Sequence, residues 1–289
     1  MLSYSNNSKI CSITFILVID IEDLQKKALA EFEKVQSILE MDKKKVMEVL
    51  KERAEKEEAL ITKMSRMSDN KSMQEMLTII GEGYVNCMIF SFSIETPRMN
   101  IVERDGQSAL RVIWTGYEFQ PERKLVSIED IDTAIVLQLT SLVLELFILV
   151  LRCVLIRVFL TEAEMRKLFQ EVEGLVREGK FQEALNKFVD DWNEAKDSAW
   201  GKAKAIFNFL EKSYSLGLFW KIIKLIIQNM STEEMTFAIA NVAVIIVAAL
   251  ATDGLALIAR IAMIVNKALS LGEKIAYLRR FSDMKKKMK

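Results

Sequence analysis

MTFAIANVAVIIVAALAT, residues Met235 to Thr252, runs for eighteen residues without a charge, and after Asp253 and Gly254 the apolar character resumes as LALIA, then after Arg260 as IAMIVN. Eighteen residues just reach the length of a helix that crosses a hydrocarbon core of about 30 Å. One straight helix continuing to Asn266 would be about 48 Å long and would overshoot it. Asp253 and Gly254 offer a break, so the stretch reads as a helical hairpin with a polar tip, with Phe237 to Ala251 as one arm and Leu255 to Leu278 as the other. Ala, Gly, Val and Ile dominate both arms, and small residues let helices pack closely in lipid as well as in protein. The same pattern therefore describes the central hairpin of a soluble bundle. If the hairpin enters lipid, the inserting residues are Phe237, Ile239, Val244, Ile246, Leu250, Leu255, Leu257, Ile261 and Ile264.

A second apolar segment, Ala134 to Leu151 (AIVLQLTSLVLELFILVL), has spanning length and one charge, Glu145, before Arg152 and Arg157. A carboxylate facing lipid is costly, which places Glu145 inside a bundle or a wet lumen. Arg152 lies on the same helical face two turns away, roughly 10 Å along the axis, so each needs a partner from elsewhere in the chain. Glu145, Arg152, Asp253 and Arg260 are the expected buried charges, lining or locking the packed interior. Between the apolar segments, Gly217 to Ile227 (GLFWKIIKLII) puts Lys221 and Lys224 on one side of an apolar helix with Trp220 at its edge. That composition suits a membrane interface, and equally an amphipathic core helix. From Glu273 to Lys289 there are seven basic and two acidic side chains, ending KKKMK. Arg279, Arg280, Lys285, Lys286 and Lys287 are the expected contacts to anionic headgroups, at about 1 kcal/mol per charge near the surface.

From Ile21 to Ser68 there is neither Gly nor Pro, and eleven acidic and eleven basic side chains stand among the forty-eight residues. Helix is expected. Apolar residues recur at Ala28, Phe32, Val35, Leu39, Val46 and Val49, a coiled-coil-like spacing. The stripe loses definition through KERAEKEE (Lys51 to Glu58) and returns at Leu60, Met64 and Met67. An unbroken helix here would reach roughly 70 Å; a hairpin of two ordinary helices is the alternative. Upstream, Ile10 to Ile19 (ICSITFILVI) is too short to span a bilayer, lacks the small-x-small cleavage site of a signal peptide, and suits a buried strand or helix end.

The β signal lies between Gly81 and Pro121. Phe90, Phe92 and Ile94 alternate with Ser91, Ser93 and Glu95, and Asp105-Gly106 supplies a tight turn between MNIVE and SALRVIW, where Leu110, Val112 and Trp114 share a face. Pro97 ends the first of these runs, and a three-stranded meander is expected. Three helix starts come next, at Ser127 with Asp130, Thr161 with Glu164, and Ser231 with Glu234, the last two being capping-box patterns. Gly179, Gly201 and Gly217 are candidate joints between them.

Gly 10 and Pro 2 in 289 residues are far below ordinary usage of about 7% and 5%, so a turn-rich β fold is excluded. There is no His, which removes imidazole-based triads, His-ligated metals and His pH switches. Cys11, Cys87 and Cys153 are far apart and form no zinc spacing. No P-loop, dinucleotide-binding, nucleophile-elbow or EF-hand motif occurs. Asp190 with Asp191 and Glu233 with Glu234 point apart on a helix and read as solvated charge. No enzyme activity, cofactor, metal or small-molecule substrate is expected, and zero net charge argues against a nucleic-acid partner.

The expected protein is mainly α: long charged amphipathic helices plus an apolar helical hairpin, with a small antiparallel β meander as an insertion. Its parts are 1–80 (apolar segment and charged helix), 81–126 (meander), 127–160 (apolar helix), 161–230 (amphipathic helices) and 231–289 (apolar hairpin with basic tail). This order of long charged helices, small β element and apolar hairpin resembles that of α-helical pore-forming toxins, and the resemblance implies a soluble form that releases the hairpin into lipid. The expected function is binding or insertion into a membrane, anionic for preference, with localisation at that membrane. Homo-oligomers or a partner helix would use 21–68. The alternatives are a soluble helical scaffold with the hairpin as its core, and a resident multi-span membrane protein.

Overall fold

The computed structural model describes residues 20–34, 43–65, 98–114, 117–153, 160–265 and 269–289. The run Ile10 to Ile19, the alternation at Phe90 to Glu95, and Cys11 and Cys87 lie outside these residues. Among them the chain forms α1 (Ile21–Glu33), α2 (Lys43–Ser65), β1 (Arg98–Arg104), β2 (Gln107–Trp114), β3 (Tyr117–Lys124), α3 (Ile128–Cys153), α4 (Glu162–Arg177), α5 (Gln182–Ala195), α6 (Ala199–Ser215), α7 (Leu218–Ile227), α8 (Thr232–Ala251), α9 (Leu255–Val265) and α10 (Leu269–Met288). The protein is mainly α with one small antiparallel sheet.

The three helix starts form as their sequences dictate. The Asp130 amide donates to Ser127 Oγ at 3.1 Å and the Ser127 amide to Asp130 Oδ2 at 3.2 Å. Thr161 with Glu164, and Ser231 with Glu234, close both arms of a capping box, satisfying amides that the first turn leaves open. Of the three candidate joints, Gly179 and Gly217 take φ +71° between helices. Gly201 is no joint: it lies inside the first turn of α6, where a Cβ would come within 2.8 Å of Ala195 Cβ, so it permits close approach of α5 and α6.

The two apolar helices are buried on every side. Residues 140–151 of α3 and 238–249 of α8 are buried without interruption, more than three turns each, so no face of either segment meets solvent. α3 packs on α4, α9 and α10, and α6 packs on α5, α7 and α9. Phe147 of α3 sits in a cage of rings at the centre: Phe219 (centroids 5.7 Å apart), Phe209 (6.0 Å) and Phe181 (6.5 Å). The amphipathic helices each bury one stripe; α4, for example, buries Met165, Leu168, Phe169, Val172, Leu175 and Val176.

The charged N-terminal segment is two helices that pack on each other and on α8, not one long rod. Their inner stripe is Leu24, Ala28 and Phe32 in α1, and Val46, Leu50, Ala54, Glu57 and Ile61 in α2. It does not lapse through KERAEKEE, as the sequence reading had it. Ala54 and Glu57 carry it, while Val49 and Leu60 are only half-buried.

The sheet has the order β1-β2-β3, with Met99 opposite Val112 and Ile101 opposite Leu110. Asp105 (φ +51°) and Gly106 (φ +70°) form the expected turn, and Met99, Leu110 and Val112 are buried beside the helices. The third described strand is β3, which the sequence reading did not assign: its three expected strands were the Phe90–Glu95 run, MNIVE and SALRVIW. Pro121 lies within β3, which pairs only with β2 among the described strands, at a place where the register slips. An outer strand with a bulge is where a residue lacking an N–H is tolerated.

The hairpin breaks at Asp253 (φ +48°) and Gly254 (φ +82°), as expected. Its second arm is shorter than expected: α9 ends at Val265, and α10 leaves at 85° to it instead of continuing to Leu278.

Candidate membrane-inserting helix and its cover

Among the described residues two helices are long and apolar enough to cross a membrane, α3 with 26 residues and α8 with 20. In α3, 83% of the most apolar eighteen residues are buried, and in α8 72%. Their surroundings differ. α3 is held by the aromatic cage and by a buried polar cluster, in which Glu145 accepts from Lys274 Nζ at 2.7 Å and from Ser270 Oγ, while Gln138 Nε2 donates to the Lys274 carbonyl at 3.2 Å. α8 is covered by α1 and α2, whose packing is with α8 and with each other.

Most residues expected to insert are inside: Ile239, Val244, Ile246, Leu257, Ile261 and Ile264 are at most 9% exposed. Phe237, Leu250 and Leu255 are the exceptions, 51%, 48% and 42% exposed. Leu250 and Leu255 flank the turn between α8 and α9, so the tip already presents apolar side chains to its surroundings. Beside Leu250 a narrow apolar crevice runs between α6, α7, α8 and α9, lined by Phe207, Leu210, Tyr214, Phe219, Ile246 and Leu257 among others.

Of the expected buried charges, Glu145 and Arg260 are buried, Arg152 is half-buried, and Asp253 is exposed. Asp253 was expected inside because it interrupts an apolar run; the positive φ of a reverse turn carries it outward instead. Arg260, 3% exposed, donates from Nη2 to Glu57 Oε1 of α2, and Arg53 Nη2 donates to the same oxygen at 2.8 Å. A second lock joins α1 to α6 and α7. Glu31 Oε1 accepts from Tyr214 OH at 2.7 Å and from Lys34 Nζ at 2.5 Å, and its Oε2 accepts from Trp220 Nε1 at 3.1 Å. Burial pushes the Glu31 carboxyl up, but the three hydrogen bonds from Lys34, Tyr214 and Trp220 outweigh it and hold the pKa below the usual carboxylate value. Burial and the adjacent carboxylate raise the Tyr214 phenol.

The expected interface residues lie on two helices. On α7, Lys221 is exposed, Lys224 half-buried, and Trp220 is engaged with Glu31. On α10, Arg279, Arg280, Lys286 and Lys287 are exposed. Arg280 lies 3.4 Å from Glu103 and Lys286 3.7 Å from Asp283, while half-buried Lys285 pairs with Asp132.

Glu31, Glu57 and Lys274 were missed in the sequence. Glu57 and Lys274 each stand on an apolar stripe, Glu57 between Ala54 and Ile61, Lys274 between Leu271 and Leu278, and a charge on a buried stripe is the signal that would have found them. Compared with family models, curated proteins and solved structures, the chain matches none.

Proposed function

We propose that the protein meets lipid bilayers and inserts α8, with α9 as its second arm, from a folded state in which both are packed away. The observation that carries this reading is a helix of spanning length, α8, which is uncharged from Met235 onward and buried without interruption over 238–249, and whose cover is two charged amphipathic helices. At 1.5 Å per residue α8 is about 30 Å long with Glu233 and Glu234 in its first turn, and its uncharged part, Met235 to Ala251, is about 26 Å, close to the thickness it would have to cross. Leu250 and Leu255 at the tip give a first apolar contact, and exposed Arg279, Arg280, Lys286 and Lys287 favour anionic headgroups. α3, tied by Phe147 and Glu145, stays with the body. Arg260 makes α9 the costlier arm, since an Arg at the centre of a span costs about 2.5–3.5 kcal/mol on insertion scales.

The test is flotation with anionic and neutral liposomes, without detergent, together with release of a trapped dye. Binding and leakage with anionic vesicles are expected. Leu250→Asp with Leu255→Asp, at exposed positions that leave the packing alone, should keep the circular dichroism and thermal midpoint and lose leakage. A soluble protein that ignores both vesicle types would leave the scaffold reading, and protein recovered only in detergent would leave the resident membrane protein.

A further inference from the structure

We infer that α1 and α2 form a displaceable cover held shut by two carboxylates, Glu31 and Glu57, and that lifting this cover as a unit is the step that exposes α8. The inference rests on the insertion reading for its purpose, and stands on its own for the motion. Three observations carry it. First, α1 and α2 pack on each other and on α8, whereas α3 is braced by α4, α9 and α10. Second, the outer face of the pair is charged and solvated: Asp23, Lys26, Lys27, Glu48, Lys51, Glu52, Glu55 and Lys56 are exposed, with ion pairs Lys27–Asp23 at 2.6 Å and Lys56–Glu52 at 2.5 Å inside single helices. Both of these ion pairs stay within one helix and do not tie the cover to the body.

Third, Glu31 and Glu57 are the buried charged residues among the described side chains of α1 and α2, and each reaches across to the body. Glu31 meets Tyr214 of α6 and Trp220 of α7; Glu57 meets Arg260 of α9. A buried carboxylate is a poor substitute for an apolar residue in adhesive terms, yet it demands one geometry of its donors. Two of them, on two helices and bonded to different helices of the body, define one closed position and are lost together when the cover lifts.

The experiment uses the full chain with Cys11, Cys87 and Cys153 replaced by Ala, carrying Glu31→Cys and Tyr214→Cys. Unbridged, this variant lacks the Glu31 lock and should release dye from anionic vesicles about tenfold faster than its cysteine-free parent, as befits loss of charge-assisted hydrogen bonds. Bridged by a flexible, cleavable bismaleimide, it should release dye at least about tenfold more slowly than the parent, and cutting the tether should restore the fast rate. Bridged protein that leaks like the parent overturns the cover. Amide exchange on the parent without vesicles separates the two proposals. Exchange of α1 and α2 as one unit, ahead of α3, α4 and α6, supports the cover even if no dye is released and insertion fails. Exchange of α1 and α2 only together with α3, α4 and α6 overturns it.

Discussion

Glu57 accepts from two guanidiniums at a site that water barely reaches: its side chain is 1% exposed, that of Arg260 3%, and that of Arg53 14%. Removing the carboxylate and removing one cation should therefore differ in cost. Glu57→Leu takes the shared acceptor from both arginines, and breaking a buried pair in this way costs about 3–5 kcal/mol. Arg260→Met leaves Glu57 with Arg53 at 2.8 Å, so the loss is nearer the value of one charge-assisted hydrogen bond, about 1.5–3 kcal/mol. In the double variant neither buried charge remains, and Arg53 can extend to water along its aliphatic stem. Apolar replacement of a buried pair is often close to neutral, so the double variant should cost under about 1 kcal/mol. Urea unfolding at pH 7, followed by helical circular dichroism, measures all four proteins. Taking about 2–4 °C per kcal/mol, Glu57→Leu should lower Tm by about 10 °C and the double variant by no more than a few degrees. Equal costs for the two single variants, or a double variant as poor as their sum, would refute the shared acceptor.

Two further outcomes follow from the geometry. The folded-state pKa of Glu31 lies below the usual 4.5, so its ionised form contributes stability that is complete above that value and is lost as the pH falls through the depressed pKa. The stability difference between wild type and Glu31→Gln should be constant from pH 7 to pH 5 and shrink below pH 4.5; a difference that ignores pH would remove the Glu31 lock. Two Gly→Ala changes should have opposite signs in thermal unfolding. Gly254→Ala combines φ +82° with a Cβ 2.5 Å from the Phe207 ring and should cost about 1–3 kcal/mol, while Gly174→Ala in α4, with nothing within 4 Å, should gain about 0.5–1 kcal/mol.

Signals that act over a few residues were legible in the sequence. Ser231 and Glu234 announce the start of α8, Asp253-Gly254 its end, and the uncharged run between them its apolar character, in lipid or in a core alike. Each is a matter of backbone chemistry or of a hydrophobic stripe and needs no distant partner. Glu57 was read as part of a solvated charge run because the residue that justifies its burial, Arg260, stands 203 positions away. The bend between α9 and α10 left no Pro or Gly between Val265 and Leu269 to announce it. β3 was not read as a strand, and the place of Pro121 inside it depends on being in an outer strand, a property of the assembled sheet. At the candidate site the lipid-length helix could be read directly, whereas its cover could not, since nothing in Ile21 to Ser65 says which surface its apolar stripe meets.

The wide separation of the two locks also bears on how the chain is made. Glu31 waits for Trp220, 189 residues downstream, and Glu57 for Arg260. At about 5–20 residues per second, roughly ten to forty seconds of translation separate the emergence of α1 and α2 from that of their partners. During that interval the apolar stripe of α1 and α2 is without α8, and contacts so distant in sequence form slowly. The order has a protective side: by the time the apolar helix leaves the ribosome, the helices that shield it from solvent already exist and need only close. A circular permutant that synthesised α8 first would reverse this, and should aggregate during expression though its final packing were the same.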